Sequence, residues 1–182
     1  MPKIFNKDTI DPETLSDGAL RRVLLDDRIT SNDNIRLDHW DLGSGCTMPL
    51  SVAGGDITWL QVLDGTVQLS GSEGTHALGN QHLIFLPGGF EGRLEGHEGS
   101  RILHARVPDA ARFDPAFART PPAFRIVDWS KEPVLDSTHD ARKRIYFVTP
   151  QLFATKAISG EMIIYPPNTV ASNHYHEDAE HF

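Results

Sequence analysis

The chain has 182 residues and a formal net charge of −8, with 39% apolar and 23% charged residues. This composition is typical of a folded globular protein, and the length suits one domain or slightly more. The acidic balance argues against nucleic acid as a partner. A single cysteine, Cys46, and the lack of any run of about 18–20 apolar residues predict a cytoplasmic location and no membrane contact.

Residues 1–34 are predicted to be an N-terminal extension with a short helix. In residues 11–27, "DPETLSDGALRRVLLDD", an Asp-Pro pair is suited to a helix start, and Leu20, Val23 and Leu24 recur at helical spacing.

Residues 35–107 change to short apolar or alternating runs separated by Gly, Asp and Ser. The predicted strands are 35–42 (IRLDHWDL), 57–63 (ITWLQVL), 66–70 (TVQLS), 82–87 (HLIFLP) and 100–107 (SRILHARV). An Asp-Gly pair at 64–65 predicts a turn between two of them, and "SGSEGTH" and "LPGGFEG" predict two further breaks. The pattern predicts an all-β fold, an antiparallel barrel or sandwich.

A proline-rich linker, 108–125, leads to a second β unit over 126–182. Placed at a shift of 122 residues, 160–182 lies over 38–60 with the same order of strand, turn and strand. The first copy continues for about 47 residues beyond Leu60. We therefore expect the chain to be the amino-terminal part of a longer protein; the alternative is that a partner chain or the first unit covers the second one.

The closing segment "ASNHYHEDAEHF" contains a candidate metal site. His174 and His176 are two residues apart, so on an extended strand both imidazoles project from one face. A turn at 177–179 brings Glu180 beside them and gives a two-histidine, one-carboxylate ligand set. On spacing alone, a polar surface tail is the favoured interpretation.

The run 168–180, "NTVASNHYHEDAE", resembles the first conserved motif of the cupin superfamily. The resemblance implies a jelly-roll type cupin barrel in which His174, His176 and Glu180 bind a divalent metal, with a fourth, histidine ligand from a second motif beyond the end of this chain. Asn168 stands where the motif usually has glycine, and asparagine also tolerates left-handed backbone angles. The chain as a whole is similar to a two-barrel cupin that stops within its second barrel.

The same resemblance extends to residues 35–107 in a degenerate form. The four ligand positions of the first barrel fall on residues that do not replace a His-His-Glu-His set, so we expect this barrel to be metal-free and structural. These positions are Val52, Gly54, Thr58 and Gly92. Other candidates for a binding role in this barrel are Trp40, Trp59, Arg93, His97, His104 and Arg106. The basic run at 141–144 is predicted to be a solvated loop.

The resemblance implies metal-dependent chemistry on a small organic molecule. An Fe(II) oxygenase is the leading expectation; isomerases, lyases and decarboxylases that use Mn, Ni, Zn or Fe are the alternative. A non-catalytic cupin that binds a small ligand, or serves in storage or regulation, is a third. Assembly as a homo-oligomer is an open alternative.

Overall fold

The computed structural model describes residues 6–138 and 140–170, and these are almost entirely β structure. The strands are β1 (Glu13–Ser16), β2 (Ala19–Leu25), β3 (Arg36–Leu42), β4 (Thr47–Ser51), β5 (Ile57–Gly71), β6 (Gly74–Leu78), β7 (His82–Leu86), β8 (Glu91–Val107), β9 (Arg125–Asp128), β10 (Leu135–Asp136), β11 (Lys143–Val148) and β12 (Gly160–Ile164). The helices are α1 (Asp27–Thr30) and α2 (Pro150–Phe153), with single 3₁₀ turns at Lys7–Thr9 and Ala110–Arg112.

The first nine strands form one antiparallel sheet in the order β1-β2-β3-β8-β5-β7-β9, with β4 paired to β8 and β6 paired to β5. Strands β5 and β8 have 15 and 17 residues and run side by side along nearly their whole length. The sheet is wider than the predicted range 35–107, because β1 and β2 precede that range and β9 follows it. The predicted all-β fold of antiparallel strands is confirmed.

The predicted turn at Asp64-Gly65 is wrong. β5 passes through these residues without reversing, and its register against β8 shifts on both sides of Asp64. Gly65 has a φ of +70°, and a Cβ there would lie 2.9 Å from the Cα of Ser100. The pair therefore forms a bulge in a continuous strand, because β8 supplies hydrogen-bond partners on both sides of it.

The helix predicted within residues 11–27 is also wrong. That segment forms the β1–β2 hairpin, and β2 pairs with β3 along its length. Ala19 is fully buried on the inner face of the sheet and Leu20 on the other face is 37% exposed, which is the alternation of a strand. Pairing with β3 outweighs the local helical spacing. The four-residue α1 follows, with the Asp26 side chain accepting a hydrogen bond from the Arg28 N–H.

The inner face of the sheet encloses an apolar core. The largest fully buried side chains of this core include Leu42, Leu60, Leu69, Ile84, Leu86, Leu94 and Ile102. Each such side chain contributes about 1.5–3 kcal/mol when removed from water. Inner and outer residues alternate along β3, β8 and each half of β5. The inner residues of β5 change from Leu60 and Val62 to Val67 and Leu69 across the bulge.

The segment from β11 to β12 repeats the segment from β2 to β3 at a shift of 123 residues. α1 and α2 begin at residues 27 and 150, and each ends at a residue with left-handed backbone. The strand pairs also correspond, since Leu25 pairs with Leu37 and Val148 with Gly160, each just after a register shift. Over the described residues the correspondence has a shift of 123 residues instead of the predicted 122, and residues 171–182 of the predicted repeat lie outside the described part of the chain.

The three-stranded sheet β10-β11-β12 packs against the outer face of the first sheet. A second apolar cluster joins them, with Ile57, Phe85, Val107 and Val127 from the first sheet and Phe147 and Phe153 from the second unit. Phe85 and Phe153 are in tilted contact, with ring centroids 4.7 Å apart. Between the two sheets, Asp114 accepts hydrogen bonds from the Thr155 hydroxyl and the Lys156 N–H at 3.0 and 2.8 Å.

Candidate functional site

The predicted metal ligands His174, His176 and Glu180 lie outside the described residues. The structure does describe the turn that leads to them. Asn168 has a φ of +64°, and the Thr169 N–H donates to the Pro166 carbonyl at 3.2 Å. Asn168 therefore has the left-handed backbone that the sequence analysis allowed for, a conformation that asparagine adopts more readily than most other residues.

The first copy of the repeat has the same turn 123 residues earlier. Gly45 has a φ of +73°, and the Cys46 N–H donates to the Gly43 carbonyl at 3.0 Å. The two copies therefore match up to the point where the histidine motif begins in the second one.

The predicted ligand positions Val52, Gly54 and Thr58 follow from the 122-residue shift. At the 123-residue shift of the structure, His174, His176 and Glu180 correspond instead to Ser51, Ala53 and Ile57. None of these residues is a histidine or a carboxylate, so the first barrel has no matching ligand set at either shift. At Gly92 a Cβ would lie 2.5 Å from the Ser70 carbonyl oxygen and 2.7 Å from the Phe90 ring, so an imidazole has no room there. Within 6–138 and 140–170, no group of three or more His, Cys, Asp or Glu side chains is placed to hold a metal ion.

Polar side chains instead occupy the inner face at one end of the first barrel. We call this group the inner polar cluster; it consists of Arg36, Asp38, Trp40, His104 and Arg106. Strands β3 and β8 position it, because Asp38 lies directly opposite His104 and Arg36 directly opposite Arg106 in their antiparallel register. The even-numbered residues of both strands share one face, so all five side chains belong to the barrel interior.

Asp38 is the buried centre of the cluster, with 2% of the residue exposed. The Arg36 Nε lies 3.2 Å from both of its carboxylate oxygens, and the His104 Nδ1 lies 3.5 Å from Oδ2. Burial lowers the pKa of His104, and Asp38 opposes that shift. The imidazole stacks on the Trp40 indole, with ring centroids 4.2 Å apart and planes 20° apart.

Three buried nitrogen atoms of the cluster have no hydrogen-bond partner among the described residues. They are Trp40 Nε1, Arg106 Nε and His104 Nδ1; the last still lies 3.5 Å from the Asp38 carboxylate, so Trp40 Nε1 and Arg106 Nε are the two unused donors. Arg106 is only loosely paired with Asp56, at 3.6 Å, while Asp56 itself accepts a hydrogen bond from the Asp109 N–H at 3.1 Å. A buried donor without a partner costs about 1–3 kcal/mol, so the cluster is suited to receiving an acceptor from outside the chain.

The sequence singled out three members of the cluster and missed two. Trp40, His104 and Arg106 were candidates, whereas Asp38 and Arg36 were not. The signal for both was the alternation in "RLDHW", which places Arg36, Asp38 and Trp40 on one face of β3.

The other candidates of the first barrel lie elsewhere. Trp59 packs on the outer face against the second apolar cluster. Arg93 is exposed, and the His97 side chain is 43% exposed, 3.9 Å from Glu95.

The basic run at 141–144 is not the solvated loop that the sequence predicted. Arg142 is 8% exposed, pairs with Asp140 and donates to the Tyr165 hydroxyl at 3.2 Å. Arg144 lies on β11 and donates to both oxygens of Glu161 on β12, at 2.6 and 2.7 Å. At the 123-residue shift Glu161 takes the place of Asp38, so each copy holds a carboxylate paired with an arginine at this position.

The fold has clear counterparts among solved structures. A protein described as glyoxylate-induced, from Pseudomonas aeruginosa, superposes with a TM-score of 0.63 at 15% identity, covering 76% of this chain and 53% of its own. Protein Ylba from E. coli superposes with a TM-score of 0.60 at 13% identity, covering 79% and 63%. An oxalate decarboxylase structure superposes with a TM-score of 0.59 at 11% identity, covering 82% and 54%.

These similarities show that the chain has a cupin-like β-barrel fold. The chain spans between about half and two thirds of the length of these three proteins. No family model matches the sequence, and no curated protein matches it. Of the described residues, none belongs to a helix long and apolar enough to cross a membrane.

Proposed function

We propose that this chain belongs to a metal-dependent cupin enzyme that acts on a small organic molecule. His174, His176 and Glu180 would hold the divalent metal; Fe(II) is favoured, and Mn, Ni or Zn would suit the same ligands. The observation that carries the proposal is the H-x-H-x₃-E motif at His174, His176 and Glu180. The turn before it contains Asn168, whose left-handed backbone suits the position where the motif usually has glycine.

The bound metal would polarise the oxygen atoms of a substrate and hold them in place. The chain's own residues would support this site through β11 and β12. Arg144 and Glu161 form a pair with two hydrogen bonds that fixes the register of the two strands next to the motif. Arg142 and Tyr165 link the start of β11 to the residue after β12, so the segment leaving β12 starts from a fixed position.

Oxygenase chemistry is the leading proposal for the reaction, because Fe(II) oxygenases are a large class of cupins. A decarboxylase, lyase or isomerase reaction is the second candidate, and the structural similarity to oxalate decarboxylase favours it. That similarity is one of fold at 11% identity, so it supports the reaction class and no particular substrate.

The test is the metal content of the protein purified without chelators, measured by elemental analysis. We expect a divalent transition metal in the parent protein, and its loss in His174→Ala and His176→Ala. His97→Ala is the matched control, because His97 is an exposed histidine of β8 that is not part of the motif, and it should keep the metal. Equal metal content in all four proteins, or none in the parent, would remove the basis of the proposal.

Thermal unfolding of the same variants separates a catalytic metal site from a structural one. A structural site would make His176→Ala unfold, since structural metal binding contributes directly to folding. We expect His176→Ala to keep the folded first barrel, because the strands of that barrel enclose an apolar core of their own.

A further inference from the structure

The inner polar cluster contains two arginines placed directly opposite each other. Arg36 and Arg106 are cross-strand partners in the β3–β8 register, and like charges in that position repel. Their side chains are 27% and 41% exposed, so both guanidinium groups can be reached from solvent. Such a pair is favourable where negative charge lies between the two groups.

The two nearby carboxylates, Asp38 and Asp56, do not supply negative charge to the two arginines equally. The Arg36 Nε donates to the Asp38 carboxylate at 3.2 Å. The terminal nitrogens of Arg36 have no hydrogen bond among the described residues. The Arg106 Nε has no hydrogen-bond partner among the described residues, and the carboxylate of Asp56 lies 3.6 Å from it. Of the two arginines, Arg106 therefore has the less satisfied hydrogen-bond donors.

A deeply buried donor of the same cluster is also unused. Trp40 is 5% exposed, and its indole N–H has no hydrogen-bond partner in the described part of the chain. The indole lies on the same inner face and stacks on His104, the neighbour of Arg106 on β8. Two unused donors on one face, beside an arginine pair, are suited to an oxyanion that accepts several hydrogen bonds.

We propose that the inner polar cluster binds a small monocarboxylate, held mainly by Arg106 and Arg36. The charge balance sets the class of ligand. Two arginines already face two aspartates, Asp38 and Asp56, so one added negative charge is tolerated better than two. A planar carboxylate also matches the fork of a guanidinium group. The first barrel would then be a ligand-binding domain in its own right, independent of the metal motif in the second unit.

The experiment is a titration of the ¹⁵N-labelled chain with sodium acetate, and separately with inorganic phosphate, at constant ionic strength set with sodium chloride. The indole N–H resonances report directly on the site, because the chain has three tryptophans and Trp40 can be assigned with Trp40→Phe. We expect a saturable shift of the Trp40 indole resonance with acetate, and a weaker response to phosphate.

Two variants on the same strand make the test specific. Arg106→Gln should weaken acetate binding about tenfold or more, the effect of losing one charge-assisted interaction. Arg101→Gln is the matched control, because it removes the same charge from the outer face of β8, where Arg101 pairs with Asp64 of β5. Its acetate affinity should equal that of the parent protein.

Three results would overturn the proposal. They are a Trp40 resonance that does not respond to acetate, a response that does not saturate, and equal weakening in Arg106→Gln and Arg101→Gln. The first two mean that water alone fills the donors, and the third means that only net charge matters. If Arg106→Gln does not fold, Arg36→Gln tests the same pair. Metal binding by the second unit is unaffected in each case, so this test does not depend on the proposed function.

Discussion

Replacing Asp38 by alanine should destabilise the first barrel strongly, because this carboxylate is the buried centre of the inner polar cluster. Asp38 is 2% exposed and faces two nitrogen-bearing side chains, Arg36 at 3.2 Å and His104 at 3.5 Å. Removing one partner of a buried charge pair costs about 3–5 kcal/mol, because the remaining charge stays buried without compensation.

Partial exposure of the Asp38 partners makes the loss of stability smaller than this. The Arg36 side chain is 27% exposed, so its guanidinium can regain part of its hydration. His104 has less scope to do so, with 12% of its side chain exposed. We therefore expect Asp38→Ala to lower the free energy of unfolding by about 2–4 kcal/mol.

Urea-induced unfolding followed by tryptophan fluorescence measures this change. Asp41→Ala is the matched control, three residues along the same strand and on its outer face, with a side chain that is 34% exposed and pairs with Arg22. A surface pair that keeps this much contact with solvent is worth about 1 kcal/mol or less. If Asp38→Ala does not fold, Asp38→Asn keeps the shape and should show a smaller loss. A loss in Asp38→Ala no larger than that in Asp41→Ala would refute the buried-pair reasoning.

Two further predictions concern the bulge and the edge of the first sheet. Gly65→Ala should cost more than Gly45→Ala: both residues have left-handed backbone, worth about 1–2 kcal/mol against alanine, but only at Gly65 would the added Cβ meet the Ser100 Cα, at 2.9 Å. Equal losses in chemical denaturation would mean that the close approach to Ser100 is unimportant. Hydrogen bonds from Lys131 and Ser130 lower the pKa of Asp128 to about 2. Because an unfolded aspartate has a pKa of about 3.9, its stabilising contribution is complete above that pH and disappears as the pH falls towards 2. Carboxyl ¹³C NMR titration should show this low pKa and its increase in Lys131→Ala; an ordinary pKa in the parent protein would contradict the assignment.

The strands were predictable from sequence where alternation and turn residues agreed. β3, β7 and the second half of β8 lie within a residue of their predicted bounds, since each is a local run with one apolar face. The bulge at Asp64-Gly65 and the β1–β2 hairpin were not predictable in this way. Both depend on a partner strand distant in sequence, and local patterns carry no information about that partner.

The same difference between local and distant residues decides which candidate sites could be predicted from sequence. The motif at His174, His176 and Glu180 was visible because its ligands are close in sequence, and it stays a prediction because those residues lie outside the described part of the chain. The inner polar cluster joins residues of β3 to residues of β8 more than 60 positions later. His104 and Arg106 were recognisable as a pair, but only the register of the two strands shows that Asp38 lies opposite His104.

Pulsed electron paramagnetic resonance of the Mn(II)-loaded chain tests the central claim most directly, because it detects nitrogen ligands on the ion itself. The account predicts modulation from imidazole nitrogen in the parent protein. This signal should weaken in His174→Ala, weaken likewise in His176→Ala, and vanish when both are replaced, while His97→Ala leaves it unchanged. A Mn(II) signal without nitrogen coupling, or one that the double replacement does not alter, would contradict a metal site at these residues.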